Sequence, residues 1–213
     1  MGLPVLDLYL WGKAVMMEVR MEPKQRKPMS AAIGYTIIDT AIGPVGLAWS
    51  AEGVCRVALP ERDRTRMEAR FAARLEGALP SEPPARVAAA IELIKRYAEG
   101  ETVDFTSVPV DLDGADLFRH AIYRAARALA FGETTTYGGL ADAAGHPGKA
   151  RETGEALGRN PIPIIVPCHR ILAAGGKIGG FSAPGGSSTK EKLLALEGVR
   201  VGPPPPAQQA FTF

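Results

Sequence analysis

The stretch "GRNPIPIIVPCHRIL", residues 158–172, sets an apolar run, a proline, a cysteine, a histidine and an arginine in immediate succession. Ile164, Ile165 and Val166 read as a buried strand, which Pro167 ends because it has no amide hydrogen for the ladder. Cys168 then stands where strand gives way to turn, beside His169 and Arg170. A thiol becomes a nucleophile when a neighbouring cation or base favours its thiolate. Successive side chains on extended backbone point opposite ways, so His169 would reach the sulfur only through a turn or a bridging water. A cysteine packed at a strand end fits the same letters. So does a Cys-His hydrolase, although that would also want an orienting Asn or Asp and an oxyanion hole, and no such assembly is evident.

Outward from this stretch, the chain has 213 residues and an ordinary composition, 46% apolar and 23% charged, enough for one large domain or two small ones. Cys55 and Cys168 are the only cysteines, which argues against a disulfide framework and for a reducing compartment. With His120, His146 and His169 they form no short-spaced zinc signature, so no bound metal is expected. No apolar run reaches the roughly 18 residues that span a bilayer. The opening "MGLPVLDLYLWGKAV" lacks a basic start and is broken by Asp7, so a cytoplasmic location is expected. Net charge is only +2, but residues 146–192 hold seven Lys/Arg against three Glu. That local excess suits either a solvated face or a polyanion.

Residues 1–30 read as a loose arm. "GYTIIDTAIGPVGLAWSAEGVCRVALP" is rich in β-branched residues with turns at "AIGPVG" and "SAEG", and predicts a three-stranded antiparallel meander with Cys55 a small buried hydrophobe in the third strand. Met67, Phe71 and Leu75 repeat at helical spacing, as do Val87, Ile91, Ile94 and Ala98 before the stop at Gly100. "VDFTSVPVDLDG" is an extended connector, and a domain boundary is expected near residue 109. Beyond it, Phe118, Ile122, Ala125 and Leu129 predict a helix running to Gly132. "TTTYGGLADAAG" and "KARETGEALG" predict two short helices about an "HPG" turn, a helix-turn-helix or a purely structural hairpin. "SSTKEKLLALEG" predicts a helix opened by a Ser188–Glu191 capping box, and residues 199–213 a proline-rich tail that need not fold.

Taken together, "RNPIPIIVPCHRIL" and "FGETTTYGGLADAAG" resemble the active-site signature and the glycine-to-tyrosine stretch of the O6-alkylguanine-DNA alkyltransferases, the methylated-DNA–protein-cysteine methyltransferases. The resemblance covers roughly residues 34–198 and is tight from Gly132 to Phe181. It implies a two-domain α+β fold: an N-terminal ribonuclease-H-like α/β domain (31–108) carrying the meander, and a helical, winged-helix-like C-terminal domain (109–198) with the helix-turn-helix.

The activity implied is a single transfer of an alkyl group from O6 of guanine (O4-alkylthymine being a further candidate) in double-stranded DNA to Cys168. It consumes the protein and needs no cofactor or metal. By this likeness His169 takes the thiol proton through a water, and Glu197 orients the imidazole. Asn160 holds the turn before the cysteine, and Tyr137 meets the base. The loop "GGKIGGFSAPGG" closes over the base with the Ser182 amide near O6, Phe181 in the pocket wall, and the Cys168 and Ile171 carbonyls facing the exocyclic amine. Because a stacked base must be flipped out, Arg151 is expected to fill the vacated stack, with Lys149, Arg159 and Arg170 as phosphate contacts. A monomer is expected.

The sequence departs from relatives in several places. Glu152 and Glu155 put acids on the helix expected to face DNA, Phe181 lacks a tyrosine hydroxyl, "APGGSST" is slightly longer, and Tyr123 stands where tryptophan is frequent. Two further readings are weighed. A non-catalytic damage sensor would have lost Cys168, and a repair-coupled regulator would need a cysteine-rich zinc domain that this chain has no cysteines to build.

Overall fold

The computed structural model describes residues 32–75 and 77–202. The arm at 1–30 and most of the tail at 199–213 lie outside the described residues.

The meander forms as its residues dictate: β1 (Gly34–Ile38), β2 (Val45–Trp49) and β3 (Val54–Ala58) pair antiparallel in sequence order. β2 is buried along its whole length, as the central strand of a covered sheet should be. After α1 (Arg64–Ala72), a two-residue strand β4 (Leu79–Pro80) joins β1 in parallel, giving the order β3-β2-β1-β4. Asp63 caps α1 by accepting from the Arg66 amide, and Met67 and Phe71 are the helix's buried residues. Leu75 is buried too, but beyond the helix end.

α2 (Ala85–Ala98) buries the expected stripe of Val87, Ile91, Ile94 and Ala98, and also Tyr97, which that stripe omits. The connector that follows does structural work. Val54 N–H donates to Pro109 O at 3.0 Å, Asp111 N–H donates to Val54 O at 2.9 Å, and Val57 N–H donates to Pro161 O at 2.9 Å. The outer edge of β3, an open ladder otherwise, is thus covered by the connector and by the loop leading to Cys168.

α3 (Leu117–Arg127) ends five residues short of Gly132, not at it. The carbonyl of Leu129, which a longer helix would use internally, instead accepts from Arg170 Nη1 at 2.7 Å. Thr136 caps α4 (Tyr137–Ala143) through its hydroxyl, and α5 (Ala150–Gly158) follows after a short turn. α6 (Ser187–Leu196) has no capping box. Its N-cap is Gly186, so Ser188 already lies inside the helix, where its hydroxyl no longer faces the free amides.

The decisive stretch also departs from expectation. Ile164, Ile165 and Val166 are buried as expected, but they form turns rather than a strand, and Cys168–Arg170 is one turn of 3₁₀ helix. Ile164 adopts φ 73°, an unfavourable region for a β-branched residue. Only after this turn does a short strand β6 (Ile171–Leu172) pair in parallel with β5 (Thr135–Thr136). A short apolar run is equally compatible with a buried strand and a buried loop. Here the side chains of a fixed turn plug the core. One apolar core joins Leu47 of the sheet, Ile94 and Tyr97 of α2, Ile122 of α3, Ile165 and Leu193. No helix among the described residues is long and apolar enough to cross a membrane.

Candidate active site

Cys168 opens the 3₁₀ turn and is buried, and burial alone pushes its thiol up from the ordinary range. Two neighbours act in the opposite direction. Asn160 Nδ2 donates to Sγ at 3.2 Å, and the charge of Lys190 favours the thiolate. The same Nδ2 donates to Val166 O at 2.8 Å, while Asn160 Oδ1 accepts from Ile162 N–H at 3.1 Å. One amide side chain therefore closes the turn and holds the sulfur, and it stabilises the strained backbone at Ile164.

His169 and Glu197 form the second layer, and both side chains are fully buried. His169 Nε2 lies 2.7 Å from Glu197 Oε1. Glu197 also accepts from Tyr97 Oη at 2.9 Å, from Arg170 Nε and Nη2 at 2.8 and 3.0 Å, and from the Gly132 amide at 3.0 Å. Burial would raise this carboxyl, but the bonds and charges of His169 and Arg170 outweigh it and hold it at about 2. The ionised carboxylate fixes the proton of neutral His169 on Nε2. Nδ1 is then an unprotonated base, and it has no hydrogen-bond partner among the described residues. Burial lowers the imidazole below its ordinary value.

This geometry corrects one expectation. Arg170 is not available to phosphate, because it is buried and spends its donors on Glu197 and Leu129 O. An arginine two residues past the cysteine looks like a surface cation in sequence. Its carboxylate partner is 27 residues away.

Beside the thiol lies a cavity of about 340 Å³, lined by Tyr137, Gly154, Leu157, Cys168, Phe181 and Ser182 among others. Its size falls in the range of small-molecule sites, roughly 300–1,000 Å³. Tyr137, the first residue of α4, reaches toward Gly180 O at 3.4 Å, and burial and the Cys168 sulfur raise its phenol. Ile171 is fully buried, and its carbonyl accepts from Lys190 Nζ at 2.5 Å. Cys168 O accepts from the Ile171 amide. Each carbonyl retains a second lone pair.

Lys190 is a site residue that the sequence reading missed. It is wholly buried on α6, sits 5.7 Å from the Tyr137 ring centroid, and has its ammonium pushed down to about 8 by burial. Its position three residues into a helix gave it the look of an ordinary surface lysine. Tyr97, which lies off the apolar stripe of α2, and Gly132, expected only as a helix stop, are further site residues without a sequence signal. Gly132 presents its amide to Glu197 at φ 75°, a conformation that favours glycine.

A larger cleft of about 480 Å³, which shares Cys168, Phe181 and Ser182 with the cavity beside the thiol, reaches β3 and includes Asn160, Arg159 and Cys55. Cys55 is half-buried rather than buried, and burial together with Asp111 pushes its thiol up to about 11, unsuited to attack at neutral pH. Tyr123 is buried and satisfies its hydroxyl on Ala156 O at 2.8 Å, so it tethers α3 to α5.

Arg151 sits in the first turn of α5 with its side chain 91% exposed, 3.6 Å from Glu155. Lys149 is the N-cap residue and pairs with Glu152 at 2.9 Å, and Arg159 is exposed at the other end of the helix. The two acids thus pair with the two nearest cations on an exposed face, where such bridges contribute little.

Residues 117–199 match the family model described as 6-O-methylguanine DNA methyltransferase, DNA binding domain. The methylated-DNA–protein-cysteine methyltransferase of Mycobacterium tuberculosis strain H37Rv is 36% identical over 168 residues, covering 79% of this chain and 94% of the relative. The mouse protein of the same name is 32% identical, covering 80% and 83%. Among solved structures, that of Mycobacterium tuberculosis OGT in complex with DNA matches with a TM-score of 0.62 and 36% identity over 78% of this chain and 92% of that one. The O6-methylguanine-DNA methyltransferase of Pyrococcus kodakaraensis matches at 0.58 and 26%, covering 78% and 99%.

Proposed function

The chain belongs to the methylated-DNA–protein-cysteine methyltransferases, and from that premise we propose that it repairs O6-alkylguanine in double-stranded DNA with Cys168 as the acceptor. The observation that carries the assignment is the buried Glu197–His169 pair, with His169 next to Cys168 in the same 3₁₀ turn. The carboxylate holds Nε2–H, and the unpartnered Nδ1 is left as the base. The thiol proton passes through a bridging water to Nδ1. The sulfur then attacks the alkyl carbon, an S–C bond forms, and the C–O6 bond breaks with its electron pair on the guanine. The departing base accepts a hydrogen bond from the Tyr137 hydroxyl and finally carries a proton in place of the alkyl group. The thioether has no leaving group, so each chain reacts once.

The cavity between Tyr137, Phe181 and Ser182 supports the reading of these residues, with the Cys168 and Ile171 carbonyls, as the base site. Arg151, Lys149 and Arg159 lie along one helix, which supports their assignment to the DNA-facing surface, with Arg151 entering the vacated stack. The boundary near residue 109, the ribonuclease-H-like and winged-helix-like character of the two parts, the monomeric state and a cytoplasmic location belong to the same reading.

The test is stoichiometry. Incubation with a duplex containing O6-methylguanine adds one methyl mass per chain, mapped to Cys168 and not Cys55. Cys168→Ala abolishes transfer and retains DNA binding. Multiple turnovers, or label on Cys55, overturn the assignment.

A further inference from the structure

We infer that Tyr97 is a positioning residue of the proton relay, and that through it the N-terminal half of the chain is part of the reactive centre. The inference rests on the relay proposed above.

Tyr97 lies on α2, 72 residues before His169 and 100 before Glu197, yet its hydroxyl meets both. It donates to Glu197 Oε1 at 2.9 Å and stands 3.2 Å from His169 Nε2. Only one proton arrangement satisfies all three groups. The phenol hydrogen goes to the carboxylate, and the Nε2 hydrogen is shared between Glu197 Oε1 and the phenol oxygen. The imidazole is then held at two points of its Nε2 edge, and the shared bonds leave Nδ1 as the free lone pair.

The phenol is well suited to this task because it stays neutral. Burial and the Glu197 charge push its ionisation far above the physiological range. Its ring is fixed by edge contacts with Phe105 at 5.8 Å and Phe131 at 6.1 Å, one from the connector and one from the turn after α3. A rigid, uncharged donor brought in by α2 therefore sets the geometry of a histidine on the 3₁₀ turn. In double-stranded DNA the rate of transfer would then depend on a residue that touches neither DNA nor the alkyl group.

The experiment is a double-mutant cycle on the full chain, read as the single-turnover rate of methyl transfer from an O6-methylguanine duplex. Tyr97→Phe keeps the ring and removes the hydroxyl. The expected result is a rate about tenfold lower with unchanged DNA affinity, the size of one hydrogen bond to a charged group. In a His169→Ala background the same substitution has no further effect, because the group it positions is gone. A wild-type rate in Tyr97→Phe, or a tenfold loss that persists without His169, overturns the inference. As a second readout, the ¹⁵N shift of His169 Nε2, which reports the hydrogen bond shared with the phenol, moves in Tyr97→Phe, while Glu197 keeps the proton on Nε2 in both proteins. Unchanged shifts also overturn it. If wild type itself fails to methylate Cys168, the proposed function has failed instead, and mass mapping separates the two failures.

Discussion

His169 Nε2 and Glu197 Oε1 lie 2.7 Å apart, and neither side chain is exposed to solvent. The carboxylate stands at the C-cap of α6, where the helix dipole opposes negative charge. It is nevertheless ionised, because the Arg170 guanidinium, the imidazole, a phenol and a glycine amide all donate to it. Its hold on the histidine and its hold on the fold are therefore the same interaction.

That relationship makes stability pH-dependent with a defined sign. Glu197 is held at about 2, below its ordinary 4.5, so its contribution is present above pH 4.5 and is lost as pH falls through 2. The difference corresponds to about 3 kcal/mol. His169, held below 6.5, adds a loss that begins as pH falls through 6.5. Urea unfolding at stepped pH should show wild type losing stability from 4.5 to 2, and Glu197→Gln should lack that segment. It should also be less stable at pH 7, by about 3 kcal/mol, because Arg170 is left buried without its partner. Parallel curves for the two proteins would show that another carboxyl is responsible.

Asn160→Ala should damage stability and reactivity together. It removes the bonds to Val166 O, Ile162 N–H and Cys168 Sγ. A loss of about 2–3 kcal/mol is expected from the unsatisfied backbone groups, measured by denaturant unfolding. Removal of the Sγ donor should also raise the thiol pKa, seen as a basic shift in the pH dependence of iodoacetamide labelling at Cys168. A stability loss with an unshifted labelling profile would confine Asn160 to the turn.

Lys190→Met should separate the two duties of that ammonium. Its pKa is pushed from 10.5 to about 8 by burial, so wild type should gain stability as pH rises from 8 to 10.5, by about 3 kcal/mol. The variant should show no such gain. The thiolate loses a cation that favours it at the same time, so labelling of Cys168 at pH 7.5 should slow by about tenfold. Labelling at the wild-type rate would remove Lys190 from the site's electrostatics.

Arg151→Ala should slow repair of duplex DNA far more than transfer from free O6-methylguanine base, since only a duplex has a stack to refill. With a side chain 91% exposed and only a 3.6 Å pairing to Glu155, the substitution should leave thermal stability unchanged within about 0.5 kcal/mol. Binding to unmodified duplexes should stay salt-sensitive and nearly sequence-independent. Equal losses on duplex and free base would rule out a role in the stack.

Elements whose signals are local could be read directly from the sequence. The meander followed from β-branched residues between turns, α2 from its stripe, α4 from the short helical run after its threonines, and the proposal of Cys168 as the acceptor from "NPIPIIVPCHR". The sequence also led to His169, Glu197, Asn160 and Tyr137, because those positions carry a family pattern. It misread Ile164–Val166 as a strand, since β-branched residues filling a core look alike in a ladder and in a turn pinned by Asn160. What surrounds the buried His169–Glu197 pair followed from tertiary packing alone. Arg170 faces Glu197 rather than phosphate, Lys190 is buried, and Tyr97 and Gly132 arrive from 100 and 65 residues away. Their roles come from desolvation and hydrogen-bond geometry, which arise when distant segments pack and leave no mark in spacing. A buried carboxylate recruits whatever donors the fold brings to it, and the fold alone fixes which donors those are.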